Sequence, residues 1–111
     1  MVRVARQHLP AAGLAVEALG AMIAAGRRRR GWTATELAER LGTSAPTLRR
    51  IERGDPSVAI GICFDAAVLC GIDLFSSPPE QLDRVAREAR LHKALLPARV
   101  RSSPVTLDDD F

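Results

Sequence analysis

Between Trp32 and Gly54 the chain carries helix start and stop signals so closely spaced that few folds accommodate them. Thr33 is a good N-cap, and Glu36 three residues on completes a capping box, each side chain bonding the other's backbone N–H. Trp32 before the cap and Leu37 at the fourth helical position are spaced for a hydrophobic staple. Leu37, Ala38 and Leu41 supply the inward stripe, and Gly42 stops this helix after barely two turns. Ser44 caps the next helix at once. Pro46 falls in its first turn, where the missing N–H would have no intrahelical partner. That helix runs to Arg53, where Gly54 and Pro56 close it.

The flanks are helical as well. Residues 1–10 show no period and read as a loose arm. From about Ala11 to Arg29 the chain is Ala-rich, with Leu14, Leu19, Met22 and Ile23 at helical spacing and Gly31 at the end. A fourth helix is expected from Ala59 to Cys70, with Ile60, Cys63, Phe64, Ala67 and Val68 on one side and Gly71 as its stop. After a Leu74-Phe75 anchor, Ser77 and Glu80 stand at capping-box spacing around Pro78 and Pro79. They open a fifth helix from about Pro78 to Leu96, ended by Pro97. The fold class is all-α: a five-helix unit with flexible tails. Its expected divisions are an arm at 1–13, a core domain at 14–76, a C-terminal helix at 77–96 and a tail at 97–111. There are no internal repeats.

Composition agrees. The 111 residues suit one compact domain, and aromatics at 4% disfavour a β-sandwich. No run approaches the roughly 18 apolar residues of a membrane span, and no secretory signal is expected from Met1 to Pro10. Cys63 and Cys70 on one helix would lie about 10 Å apart, too far for a disulfide, so reduced thiols and a cytoplasmic protein are expected. Net charge is only +3, but it is segregated. Residues 27–53 hold eight arginines against three glutamates, a net +5; residues 54–83 hold five carboxylates and no base; residues 84–101 return to +5. The last acidic block is Asp108-Asp109-Asp110.

Two short helices joined by Gly42-Thr43-Ser44 are the pattern of a helix-turn-helix. At 100° per residue, Leu48, Ile51 and Glu52 face inward, Pro46, Arg50 and Arg53 outward, and Thr47 and Arg49 flank them. Three arginines on an outward face suit the major groove, where Arg bonds guanine edges bidentately. A carboxylate leaning inward at Glu52 needs a cation. Arg27, one turn beyond Ile23 on the core side, is placed to supply it, giving a structural Arg27–Glu52 ion pair.

The stretch Thr33-Ala34-Thr35-Glu36-Leu37-Ala38-Glu39-Arg40-Leu41-Gly42-Thr43-Ser44-Ala45-Pro46-Thr47-Leu48-Arg49-Arg50-Ile51-Glu52-Arg53-Gly54 resembles the helix-turn-helix of phage repressor and Cro-type regulators, the XRE family, and the likeness extends from about Leu19 to Phe75. It implies a lambda-repressor-like fold and binding to a double-stranded DNA operator, with an internal pair at the positions of Arg27 and Glu52. On this reading Thr47, Arg49 and Arg50, with Ala45 and Pro46 beside them, face bases. Thr33, Thr43, Ser44, Arg28, Arg29, Arg30 and Arg53 face phosphates. Two departures bear on specificity. The family usually has Gln at the position of Ala34, and Ala45 and Pro46 replace polar or basic readers, offering only contact with a thymine methyl.

On the last predicted helix, Leu82, Val85, Ala86 and Ala89 form one stripe while Leu91 and Leu95 fall nearly opposite, so Leu91 and Leu95 are the expected homodimer contact. The segments Gly54-Asp55-Pro56-Ser57-Val58 and Leu96-Pro97-Ala98-Arg99-Val100-Arg101 resemble HipB-type antitoxins. That likeness implies a repressor that autoregulates its operon and binds a HipA-type kinase toxin. A free-standing phage-like regulator, and a protein-interaction module that has lost DNA binding, stay open as alternatives. No metal site is expected from His8 and His92, no cofactor is implied, and no nucleophile elbow, phosphate loop or carboxylate pair points to an enzyme.

Overall fold

The computed structural model describes residues 7–100. The first part of the expected arm and residues 101–111, with the acidic block at 108–110, lie outside the described residues. Helix α1 spans Pro10–Arg29, α2 Ala34–Leu41, α3 Ala45–Glu52, α4 Ile60–Leu69 and α5 Leu82–Ala94, with a 3₁₀ turn at Pro79–Gln81. Among the described residues there is no strand, only an isolated bridge between Leu74 and Ser77. The first helix begins inside the expected arm, because Pro10 has its φ preset for the first helical position.

The signals around the two short helices act as the chemistry dictates. Thr33 Oγ1 accepts from Glu36 N at 3.1 Å, and Thr33 N donates to Glu36 Oε1 at 3.1 Å, closing the capping box. That arrangement holds the Glu36 carboxyl below its ordinary pKa, chiefly through the Thr33 backbone N–H. Gly42, at φ +73°, takes the left-handed conformation in which α2 ends. Ser44 Oγ accepts from Thr47 N at 3.2 Å to start α3.

The core joins α1 through α4: Ile23, Leu37, Ala38, Leu48, Ile51, Ala66, Ala67, Cys70 and Ile72 are buried together. Glycine sets how closely the helices approach. A Cβ on Gly20 would strike the Ile51 carbonyl, and one on Gly26 would strike the Cys70 carbonyl, so α1 meets the ends of α3 and α4 backbone to backbone. This displaces part of the expected apolar stripe. Leu14 and Met22 are exposed, while Gly20, Ile23 and Gly26 are the buried residues of α1. The inward face of α4 is also rotated from the expected one, with Ala66 and Ala67 buried and Ile60 and Val68 exposed. Small side chains are needed where Gly26 brings α1 so near.

Beyond α4 the packing thins. Leu74, Phe75, Ser76 and Ser77 form a tight reversal with Phe75 and Ser76 both at positive φ, closed by Ser77 N donating to the Leu74 carbonyl at 3.0 Å. Phe75 is not a buried anchor; it stays exposed and meets Phe64 edge to face, ring centroids 6.1 Å apart. The expected Ser77–Glu80 capping box does not form. Ser77 Oγ bonds the Phe75 carbonyl instead, and Pro79 opens a 3₁₀ turn that delays α5 until Leu82. No residue of α5 is buried. Leu82 and Val85 lean toward Phe64, Val68, Leu74 and Phe75 across an apolar groove of about 480 Å³. Leu91 and Leu95 are exposed, at 62% and 74%.

Candidate nucleic-acid interface

The basic segment is sorted by its neighbours. Arg27 reaches from α1 to Glu52 at the end of α3, with Nε 2.7 Å from Oε2 and Nη2 3.0 Å from Oε1, a bidentate contact. Its Nη1 also donates to the Trp32 carbonyl at 2.9 Å. Both side chains are nearly buried, 12% and 11% exposed, and donating to the Glu52 carboxylate raises the Arg27 pKa further. The guanidinium thus ties α1, α2's entry and α3 together, and it is unavailable to DNA.

Arg30 is occupied too. Its Nη1 donates to the Cys70 carbonyl at 2.8 Å, meeting the last turn of α4, and its guanidinium lies 5.7 Å from the Trp32 ring centroid. Arg40 stacks more closely on that ring, at 4.3 Å. Arg30, read from sequence as a phosphate contact, therefore serves to hold the α1–α4 junction. The sequence offered no signal for this, because the Cys70 carbonyl is 40 residues away. Arg28 and Arg29, the other members of the run, are exposed.

On α3, Leu48 and Ile51 are buried at 0% and 3%, and Pro46, Arg49 and Arg53 are exposed, with Arg53 at the helix's C-cap. Ala45 and Thr47 are half-buried. Ser44 Oγ donates to Thr47 Oγ1 at 3.0 Å, so the expected phosphate ligand and the expected base reader are bonded to each other. Thr43 sits half-buried in the turn, its backbone N–H donating to the Ala38 carbonyl at 2.9 Å.

Arg50 departs most from the sequence expectation. Its Nε donates to Asp55 Oδ2 at 3.0 Å and its Nη2 to Ser57 Oγ at 2.7 Å, folding the side chain onto the loop after α3. Asp55 Oδ1 in turn accepts from Ser57 N and Ser57 Oγ, at 2.9 and 2.7 Å. The Ser57 hydroxyl and backbone N–H, with Arg50 behind them, hold the Asp55 carboxyl well below the usual carboxylate range.

The helix N-termini differ in what they offer a phosphate. On α2 the first helical N–H groups, those of Ala34 and Thr35, have no intrahelical partner. On α3 Pro46 carries no N–H and Thr47 N is bound by Ser44, which leaves Ala45 N. Cys63 and Cys70 are free thiols, both pushed up in pKa by burial. Among the described residues no cluster of His, Cys, Asp or Glu could hold a metal, and no helix is long and apolar enough to cross a membrane.

No curated protein matches this chain. A family model described as a helix-turn-helix domain matches residues 18–74, just over half of its length.

Proposed function

From the premise that the chain belongs to the helix-turn-helix domain family, we propose that it is a sequence-specific DNA-binding transcriptional repressor acting on a double-stranded operator. The observation that carries this reading is α3 itself: a capped helix pinned from behind by Leu48, Ile51 and the Arg27–Glu52 pair, with Arg49 and Arg53 turned outward. In it, α3 enters the major groove with Thr47 and Arg49 toward bases and Ala45 and Pro46 against methyl groups. Arg28, Arg29 and Arg53, with Thr33, Thr43 and Ser44 beside the free amides of α2, meet phosphates.

A salt titration of binding to short duplexes tests it. Three phosphate-facing arginines, each worth about 0.9 in the logarithmic slope, give a slope near −2.7 for one copy. Absence of binding at low salt would sink the proposal, and replacing Arg28 by Ala should weaken all duplexes alike.

The finer reading is a homodimer of HipB-like antitoxins that represses its own operon and engages a HipA-type kinase toxin. Its support is the local likeness at 54–58 and 96–101, together with the exposed Leu91 and Leu95 on a helix that buries nothing. Sedimentation of the full chain, and of Leu91→Asp, decides the dimer.

A further inference from the structure

The DNA-binding reading leaves open what aims the side chains of α3, and the loop after that helix bears on it. Resting on that reading, we propose that Asp55 and Ser57 are positioning residues. They clamp one edge of the Arg50 guanidinium and present its free tip to a base edge in the major groove.

A guanidinium carries five N–H groups in one plane, and two parallel ones suffice for a bidentate contact with a guanine edge. In Arg50 one edge of the plane is taken: Nε donates to Asp55 Oδ2 at 3.0 Å and Nη2 to Ser57 Oγ at 2.7 Å. These bonds use the Nε hydrogen and one hydrogen of Nη2. Both hydrogens of Nη1 and the second of Nη2 are left, and they include the fork at the tip of the side chain. Helical phase puts Arg50 on the side of α3 that carries the exposed Pro46 and Arg53, away from the buried Leu48. Its side chain is 41% exposed. The edge toward the loop is clamped, and the tip remains for a ligand.

The clamp is a closed ring. Ser57 Oγ donates to Asp55 Oδ1 at 2.7 Å, Ser57 N donates to the same oxygen at 2.9 Å, and Asp55 N returns to the Arg50 carbonyl at 3.0 Å. Those Ser57 donors keep the Asp55 carboxyl ionised at neutral pH. Gly54 sets the path of the loop: its φ of +77° reverses the chain, and a Cβ there would strike the backbone of Glu17. Among the described residues no hydrogen bond or ion pair holds the guanidinium of Arg49 or Arg53. Two consequences set Arg50 apart from them. Its plane is already ordered, so less rotamer freedom is lost when the correct base is bonded. Its charge is matched by Asp55, which weakens a pull toward phosphate and leaves the directional bond to a base.

The test uses the full chain and the variants Arg50→Ala, Asp55→Ala, Ser57→Ala and Asp65→Ala, each of the middle two also combined with Arg50→Ala. A pool of randomised duplexes is the probe, and sequencing of the bound fraction is the readout. Arg50→Ala should lose about 5- to 150-fold discrimination at one base position, the value of a bidentate contact. Asp55→Ala should lose about 2- to 12-fold at that same position, the cost of ordering one side chain, while binding the pool as a whole at least as tightly as wild type. Ser57→Ala should weaken preference at the same position. With Arg50 already replaced, removing Asp55 should change no base preference further, because a positioning residue acts only through its reader. Asp65→Ala, which makes the same charge change on α4, should keep the wild-type preference. Wild-type preference in Arg50→Ala or in Asp55→Ala overturns the proposal, as does an Asp55→Ala effect of equal size with and without Arg50. If Asp55→Ala fails to fold, Ser57→Ala with and without Arg50 decides by the same criterion. Wild-type protein that binds no duplex at low salt sinks the DNA-binding reading and this one with it, an outcome distinct from the others.

Discussion

The α1–α4 unit and helix α5 are built from similar residues and held by different means. In the first, glycines bring backbones together, Ile23, Leu37, Leu48 and Cys70 are fully buried, and the one nearly buried ion pair is bidentate. In the second no side chain is buried, and the ion pairs, Arg84–Glu88 and Arg87–Asp83, are exposed neighbours one turn apart at 4.0 and 3.5 Å. Apolar content alone does not decide which region becomes a core. The decisive factor is whether small residues let a second backbone come close enough to cover the large ones.

Substitutions can strain this contrast, beginning with the largest expected effect. Leu48→Ala removes a fully buried side chain from the centre of the first region and should cost about 4 kcal/mol, measured by urea denaturation. A loss below about 1 kcal/mol would mean that the core is looser than its burial indicates. Glu52→Gln leaves Arg27 without its anion in a nearly buried site and should cost about 3 kcal/mol, the low end for breaking a buried pair. Unchanged melting would remove the pair from the account of how α3 is held.

An acid titration gives the next prediction. Glu36 and Asp55 have folded pKa values below their ordinary ones, so the stability they contribute is complete above about pH 5 and is lost as pH falls through the lowered folded values. Melting temperature should therefore fall on acidification below about pH 5, and Asp55→Asn should flatten part of that decline. A wild-type decline that begins well above this range would point to other groups. Leu95→Ala on α5 comes last, with an expected change in monomer stability within about 0.5 kcal/mol. A larger loss at low protein concentration would show that α5 is covered after all.

Much of the first region was legible from residues alone, and the reason is locality. The Thr33–Glu36 box, the Gly42 stop and the Ser44 cap act within four residues, so their chemistry is complete in the sequence. The Arg27–Glu52 geometry is longer in range, yet it was accessible because an inward carboxylate demands a cation and helical phase leaves few candidates. What could not be read depends on where another backbone lies. The Gly20 and Gly26 contacts, the rotated face of α4 and the bond from Arg30 to the Cys70 carbonyl all depend on how α1 crosses its partners. At Ser77 the capping spacing was present, but Phe75 offered its carbonyl first and the two prolines favoured a 3₁₀ start. For Arg50, helical phase gave an outward direction and could not show that Gly54 turns Asp55 back beneath it.

The placement of the Arg27–Glu52 pair also separates two electrostatic systems in one small molecule. At about 0.15 M salt, charges in solvent are screened beyond about 8 Å, while a pair shut away from ions is screened far less. The exposed Arg28, Arg29, Arg49 and Arg53 belong to the first kind and the nearly buried pair to the second. Raising ionic strength should release a polyanion from this protein long before it loosens the helix presented to that polyanion. Salt can thus serve as a reversible handle on occupancy while the scaffold stays constant.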